Sequence, residues 1–430
     1  MFELEPLSFD RALQSAADAL ERRIAKGAPI AEALPPDLSD DETLAWLREL
    51  GPKDPLAGSL ELWLLRLREQ SELAARRTEI GRAHRAALHS IQKPADERLP
   101  LAHMFQRALA RPLERSLYLK GYLSSAGDLA ELIVRLWEER QQFAERVKAP
   151  LASFEVVSPE LLPAARNFLN ETRAAYETLE IEDAAAFVTA ALAETAHEGW
   201  PAHLSARTVS ELTDRAWWEG LSVRPFPLPR AYGGASFALA LSELGRAVSD
   251  AASAPRAPFV LARDVFDLRR HELGALFGGL PLSAAFATKQ LGLGGSRTRD
   301  FLRPLARAAL VDARVAAFRV LLRELLLSGQ RTLKREFPEL AHAALGCELP
   351  PEIAGAFVRV RPRDSQRFAA TLHAATQHEQ LILLDDEDWF RNPRVIRRLR
   401  EELSVQRATP NQETLTEGSK AFRARIEALL

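Results

Sequence analysis

Apolar residues recur along most of this chain at three- and four-residue intervals, the spacing that gives a helix one buried face. The pattern predicts helices over residues 10–26, 39–50, 60–90, 100–119, 125–148, 159–179 and 183–197. It resumes over 235–249, 263–277, 283–291, 297–329, 332–345, 367–378, 393–403 and 419–430. Ala, Leu, Arg and Glu dominate these segments, and all four are strong helix formers. Residues 357–360 and 381–384 are short candidates for strand, each lying beside helical pattern. The expected fold class is all-α.

The punctuation agrees with helices. Gly27 and Gly51-Pro52 stand as stops after the first two segments. SDDET, 39–43, puts acidic residues in a first turn, where they suit the helix dipole. The 60–90 segment is weakened near Gly81. From 199 to 234 the texture changes, and RPFPLPRAYGG, with three prolines and two glycines, reads as loop. Residues 249–258 read as a second loop, and polar 407–417 as a mobile one. No repeat is evident and no boundary is sharp. The softest cut, near Pro150, suggests an N-terminal helical layer over 1–150, a core over 151–345 and a C-terminal helical segment over 346–430, or one domain in all.

Composition removes several function classes. The chain has 430 residues, 47% hydrophobic and 27% charged, a globular balance. Lys+Arg 57 against Asp+Glu 59 leaves a net charge of -2, which argues against nucleic-acid binding by bulk positive charge. The single cysteine, Cys347, excludes an internal disulfide and any Cys-built zinc or iron–sulfur site. The most apolar stretch, 306–327, is interrupted by Arg307, Asp312, Arg314, Arg319, Arg323 and Glu324, so no membrane span is expected. The first ten residues, MFELEPLSFD, are acidic where a signal peptide is basic. A soluble cytoplasmic protein is the default expectation; oligomeric state is open.

The richest chemistry lies in ETAHEGWPAHLSA, 194–206. A helical His-Glu opens the zincin pattern, in which His gives a neutral nitrogen to zinc and Glu activates the bound water. In that pattern the second His follows at four residues, about 40° round the helix. Here His197 and His203 are six apart, about 120° on an ideal helix. Pro201 lies between them and removes a helical N–H, so a break or bulge there could bring the two rings together. The plainer reading is a helix end followed by two loop histidines. Arg263, Asp267 and His271 fall at i, i+4 and i+8, one stripe of a helix. There Asp267 could orient the imidazole, or the three could form an exposed ladder of charges.

HEGWPAH resembles HExxPGHHxQ, the signature of a large uncharacterised bacterial family similar to the all-helical zinc peptidases of the carboxypeptidase Taq and oligopeptidase groups. His197, Glu198, Pro201 and His203 fall on that pattern, while Ala202, Leu204 and Ala206 depart from it. RDVFDLRRH, 263–271, resembles the family's RxVxDxGxH; Arg263, Val265, Asp267 and His271 match, and Arg269 replaces the glycine. The resemblance covers about residues 180–330. It implies a large helical zincin-like architecture with a central cleft. It further implies a zinc held by His197 and His203, with Glu198 as general base and His271, held by Asp267, steadying the tetrahedral intermediate. Arg263 and Tyr232 would lie on the substrate side.

The family's metal-completing glutamate has no clear counterpart. Ala231 and Tyr232 stand where it is expected, and Glu219 becomes the ligand only on a competing alignment. Catalytic zinc takes three protein ligands and an open position. The expectation is therefore a degenerate metallopeptidase-like protein, either a weak zinc-dependent hydrolase or a non-catalytic relative, with zinc or with no cofactor. The alternative is a helical binding or scaffold protein that takes a peptide or protein partner in the former cleft. Two ExxH pairs, Glu194/His197 and Glu339/His342, lack the partner glutamates of a di-iron bundle. LGLGGSRT, 291–298, lacks the Lys-Ser/Thr pair and preceding strand of a phosphate loop.

Overall fold

The computed structural model describes residues 5–26, 34–35, 38, 40–51, 53–89, 129–151, 153, 158–182, 200–214, 218, 221–226, 228–229, 232–252, 258–263, 265–328, 332–358, 364–402 and 410–430. Every regular element among them is helical, as the spacing predicts. The N-terminal part comprises α1 (Pro6–Lys26), α2 (Asp41–Leu50), α3 (Ala57–Glu72), α4 (Ala74–His89), α5 (Leu129–Arg146), α6 (Leu161–Glu171) and α7 (Arg173–Glu177). The middle comprises α8 (Ala202–Thr213), α9 (Gly234–Ala252), α10 (Phe259–Ala262), α11 (Leu268–Gly278), α12 (Ala284–Leu291) and α13 (Ser296–Leu327). Then come α14 (Leu333–Leu345), α15 (Ala354–Phe357), α16 (Asp364–Asp385), α17 (Pro393–Glu402) and α18 (Gln412–Glu427).

Local chemistry sets many ends. The Asp40 carboxylate accepts the Glu42 N–H at 3.0 Å and caps α2. Asn411 and Thr414 cap each other at the start of α18, so residues 412–417 are helical and not loop. The α3–α4 break falls at Leu73, not at Gly81, and Glu69 meets Arg77 across that bend at 2.8 Å. In the stretch after 199, for which no helix is expected, Trp200 donates its indole N–H to Ser205 Oγ at 2.9 Å, pinning the start of α8. Residues 381–384 are the end of α16. The helices expected over 100–119 and 183–197 lie outside the described residues.

Two apolar cores result. One gathers the N-terminal helices with α10, α13, α14, α16 and α18 around Leu64, Ile133, Phe168, Phe318 and Phe368. The other gathers α8, α9, α11, α12 and α17 around Trp218, Phe237, Phe277, Phe286 and Trp389. Helices α13 and α16 contribute to both, so they are the beams that join them. The 32 residues of α13 span about 48 Å. Buried Arg314 on this helix reaches the Ala344 carbonyl at 2.9 Å, and the Leu169 carbonyl and Thr172 Oγ1 at 2.7 Å each. It thereby satisfies helix-end acceptors of α6 and α14 that burial would otherwise strand.

A second buried polar group ties α3, α4 and α5. The Glu69 carboxylate accepts from Arg77 and Arg140. Burial pushes its pKa up, but the two guanidiniums outweigh that and hold the carboxyl below its ordinary range. No helix among the described residues is long and apolar enough to cross a membrane.

Candidate functional site

Helix α11 carries the functional candidates, and its position is set by close backbone contact. A Cβ on Gly245 of α9 would stand 2.3 Å from the Leu273 carbonyl oxygen, so only glycine lets α9 and α11 approach this far. Arg263 and residues 265–267, just ahead of α11, are not helical. Asp267 adopts the left-handed conformation at φ 52°, directly ahead of the first turn. The expected 263–277 helix therefore begins at Leu268, and Arg263, Asp267 and His271 do not form one helical stripe.

Arg263 and Asp267 nevertheless meet, because the turn folds one back on the other. Arg263 Nε lies 2.8 Å and Nη2 3.3 Å from the Asp267 carboxylate. Arg263 is fixed in turn by Trp63, which donates its indole N–H to the Arg263 carbonyl at 2.9 Å and faces its guanidinium at 5.6 Å. Burial pushes the Asp267 pKa up, yet Arg263, then Arg66 and Arg270, hold it well below the usual carboxylate range. The His271 backbone N–H bonds the Asp267 carbonyl at 3.1 Å. The observed role of Asp267 is thus an ion pair at the entry of α11.

His271 and Glu272 are both buried, the latter 1% exposed. Together with the next three residues they read His271-Glu272-Leu273-Gly274-Ala275. The string matches the helical His-Glu start of the zincin pattern and departs from it at Ala275, where that pattern has its second histidine. Ala275 offers no ligand. Glu272, the position that would polarise water, is already engaged: its Oε1 lies 2.5 Å from Nδ1 of His373 on α16. His378, five residues further along α16, accepts the Trp389 indole N–H at 3.3 Å. Its pKa is pushed down to about 3 by burial and by Arg425.

The other expected site residues are scattered. His203 is exposed in the first turn of α8, beside a non-helical Pro201. Tyr232 is partly buried, 6.1 Å edge-on from Phe237, and burial raises its pKa. His197, Glu198 and Glu219 lie outside the described residues. Among the described residues, no group of three or more His, Cys, Asp or Glu side chains could hold a metal. With alanine at the i+4 position and Glu272 bonded to His373, these residues do not fit a catalytic zinc.

Glu272 falls outside every pattern read from the sequence, and the acidic run 385–388 after His373 and His378 points to a surface, whereas the structure buries both histidines. The HELGA string was legible, beginning on the last residue of the RxVxDxxxH pattern. The partnership with His373, 101 residues away, was not.

No known protein family matches the chain, and no curated protein sequence does. Its structure is similar to Trypanosoma cruzi metallocarboxypeptidase 1, with a TM-score of 0.52 and 12% identity over 98% of this chain and 97% of that one. A Pyrococcus furiosus carboxypeptidase aligns at a TM-score of 0.49 and 12% identity over 100% of both chains. The first likeness establishes a metallocarboxypeptidase-type helical fold.

Proposed function

We propose that this chain is a metallopeptidase-fold protein that works by binding a peptide or protein partner and not by hydrolysis. The supporting observation is the fate of the His-Glu helix. Ala275 replaces a required ligand, and the Glu272 carboxylate is committed to His373 inside the protein. A general base must reach the proton it removes, and a carboxylate held in a buried pair is not offered to water. The fold is compatible with this change, since a helical core of this size stands without a metal.

A zinc-dependent hydrolase built on His197, Glu198 and His203 is the competing reading, favoured by the HEGWPAH pattern. Release of C-terminal and internal residues from a broad set of fluorogenic peptides, with and without added zinc, separates the two. The binding reading expects no turnover above a heat-denatured control. Turnover that is lost in Glu198→Gln, in a protein that stays folded, would establish the hydrolase.

A further inference from the structure

Helix α16 ends on the surface with two adjacent leucines turned to solvent. Leu383 is 83% and Leu384 73% exposed, more than any other large apolar side chain among the described residues. Gln380, Leu383 and Leu384 share the outer face of this last turn, while His378 and Leu381 on the inner face are buried. A single exposed leucine needs no explanation, but an adjacent pair bordered by charge has the composition of an interface core and its rim.

The charges beside the pair are of both signs. Asp386 and Glu387 are exposed and form no ion pair among the described residues. Arg391 and Arg394 are exposed at the start of α17. Arg394 also has no ion pair among the described residues, and Arg391 stands near Asp388, whose carboxylate pairs with Lys289 at 2.5 Å. The fold sets the two groups side by side. Asp386, left-handed at φ 85°, ends α16 and accepts the Glu387 N–H at 2.7 Å. The chain turns back through buried Trp389 and Phe390, and Arg398 of α17 pairs with Asp385. Arg394 stands one turn before Arg398, about 40° round and about 6 Å along the helix, so the basic side chains lie beside the end of α16.

A surface with both signs around a leucine pair is complementary to itself. A wholly basic partner would satisfy the two acids but meet Arg391 and Arg394 as like charges, and an acidic one would meet Asp386 and Glu387. A second copy related by a two-fold axis at the leucines meets neither problem, because each group then faces its opposite, twice over. We infer that this chain pairs with itself through the end of α16. Leu383 and Leu384 pack on the same leucines of the other copy, while Asp386 and Glu387 face its Arg391 and Arg394. Such pairing is independent of the peptide-binding reading above.

Sedimentation velocity of the full chain over a concentration series tests the pairing. The expected result is a reversible dimer by about 100 μM, weakened by added salt that screens the rim charges. Leu383→Ser together with Leu384→Ser is expected to raise the dissociation constant more than tenfold. Reversing the acids (Asp386→Arg with Glu387→Arg) or the bases (Arg391→Glu with Arg394→Glu) is expected to give monomers. Mixing the two reversed variants is expected to restore a dimer containing one of each, since a basic patch then meets an acidic one. All six positions are exposed, so the substitutions leave folding intact, as circular dichroism checks. Wild type that stays monomeric, or a dimer that survives the leucine variant, overturns the assignment. Reversed variants that stay apart when mixed overturn the charge pairing and with it the two-fold arrangement. Monomeric wild type that binds a fluorescein-labelled Lys-Leu-Leu-Lys peptide, and loses it in the leucine variant, gives the surface to a basic partner and overturns self-pairing.

Discussion

Glu272 on α11 and His373 on α16 face each other at 2.5 Å in a buried environment and form a polar link between the two helices. Replacing Glu272 by Ala leaves the imidazole N–H without its acceptor. The expected cost is about 1–3 kcal/mol in urea unfolding, with a smaller loss for Glu272→Gln, which keeps an acceptor. Wild-type stability in Glu272→Ala would show that the pair contributes nothing.

Arg314 should be among the most sensitive positions in the molecule. Arg314→Met removes the donor from two helix-end carbonyls and from Thr172 Oγ1 in one step. Apolar volume is roughly preserved, so the loss reports the stranded acceptors. A decrease of about 3 kcal/mol is expected from chemical denaturation. A change within experimental error would mean that the carbonyls find other donors.

Two glycines should respond in opposite directions. Gly245→Ala drives a methyl group into the Leu273 carbonyl and is expected to destabilise by about 1–3 kcal/mol or to block folding. Gly81, inside α4, has nothing within 4 Å of a built Cβ. Gly81→Ala is therefore expected to stabilise by about 0.5–1 kcal/mol. Thermal melts of the pair check the contrast, and a stabilised Gly245→Ala would contradict the close α9–α11 contact.

His378 gives stability a pH dependence. Its folded pKa is about 3, against 6.5 for an ordinary histidine. Between those values the unfolded chain binds a proton that the folded one refuses, so stability falls as pH drops through this window. His378→Gln keeps an acceptor for Trp389 and cannot titrate. It is expected to flatten the loss of stability between about pH 6.5 and 3. An unchanged slope would place the acid sensitivity elsewhere. Asp267 acts lower: its depressed pKa adds stability that is lost only below about pH 4.

Helical class was legible because it is written in local terms: 3.6-residue periodicity, the acidic first turn of α2 and the stop at Gly51. What the chain hid was tertiary. The bend at Leu73, and not at Gly81, accompanies a buried ion pair between residues eight apart. Helix α8 follows Pro201 in a stretch for which no helix is expected, with Trp200 bonded to Ser205 at its start. The RDVFD segment has helical spacing, yet Arg263 and Asp267 form a two-point ion pair, Asp267 is left-handed, and residues 265–266 lie in a turn. Glu272 was one residue from a recognised pattern, but only its contact with His373 reveals what it does.

The central claim is that a metallopeptidase-type fold here carries a His-Glu helix without a hydrolytic metal. Metal analysis of the full chain, after loading with excess zinc and removal of the unbound ion, tests it most directly. The account expects far less than one zinc per chain, no change in unfolding midpoint with chelator, and no effect of His203→Ala. One zinc per chain, lost in His197→Ala and in His203→Ala, would contradict it.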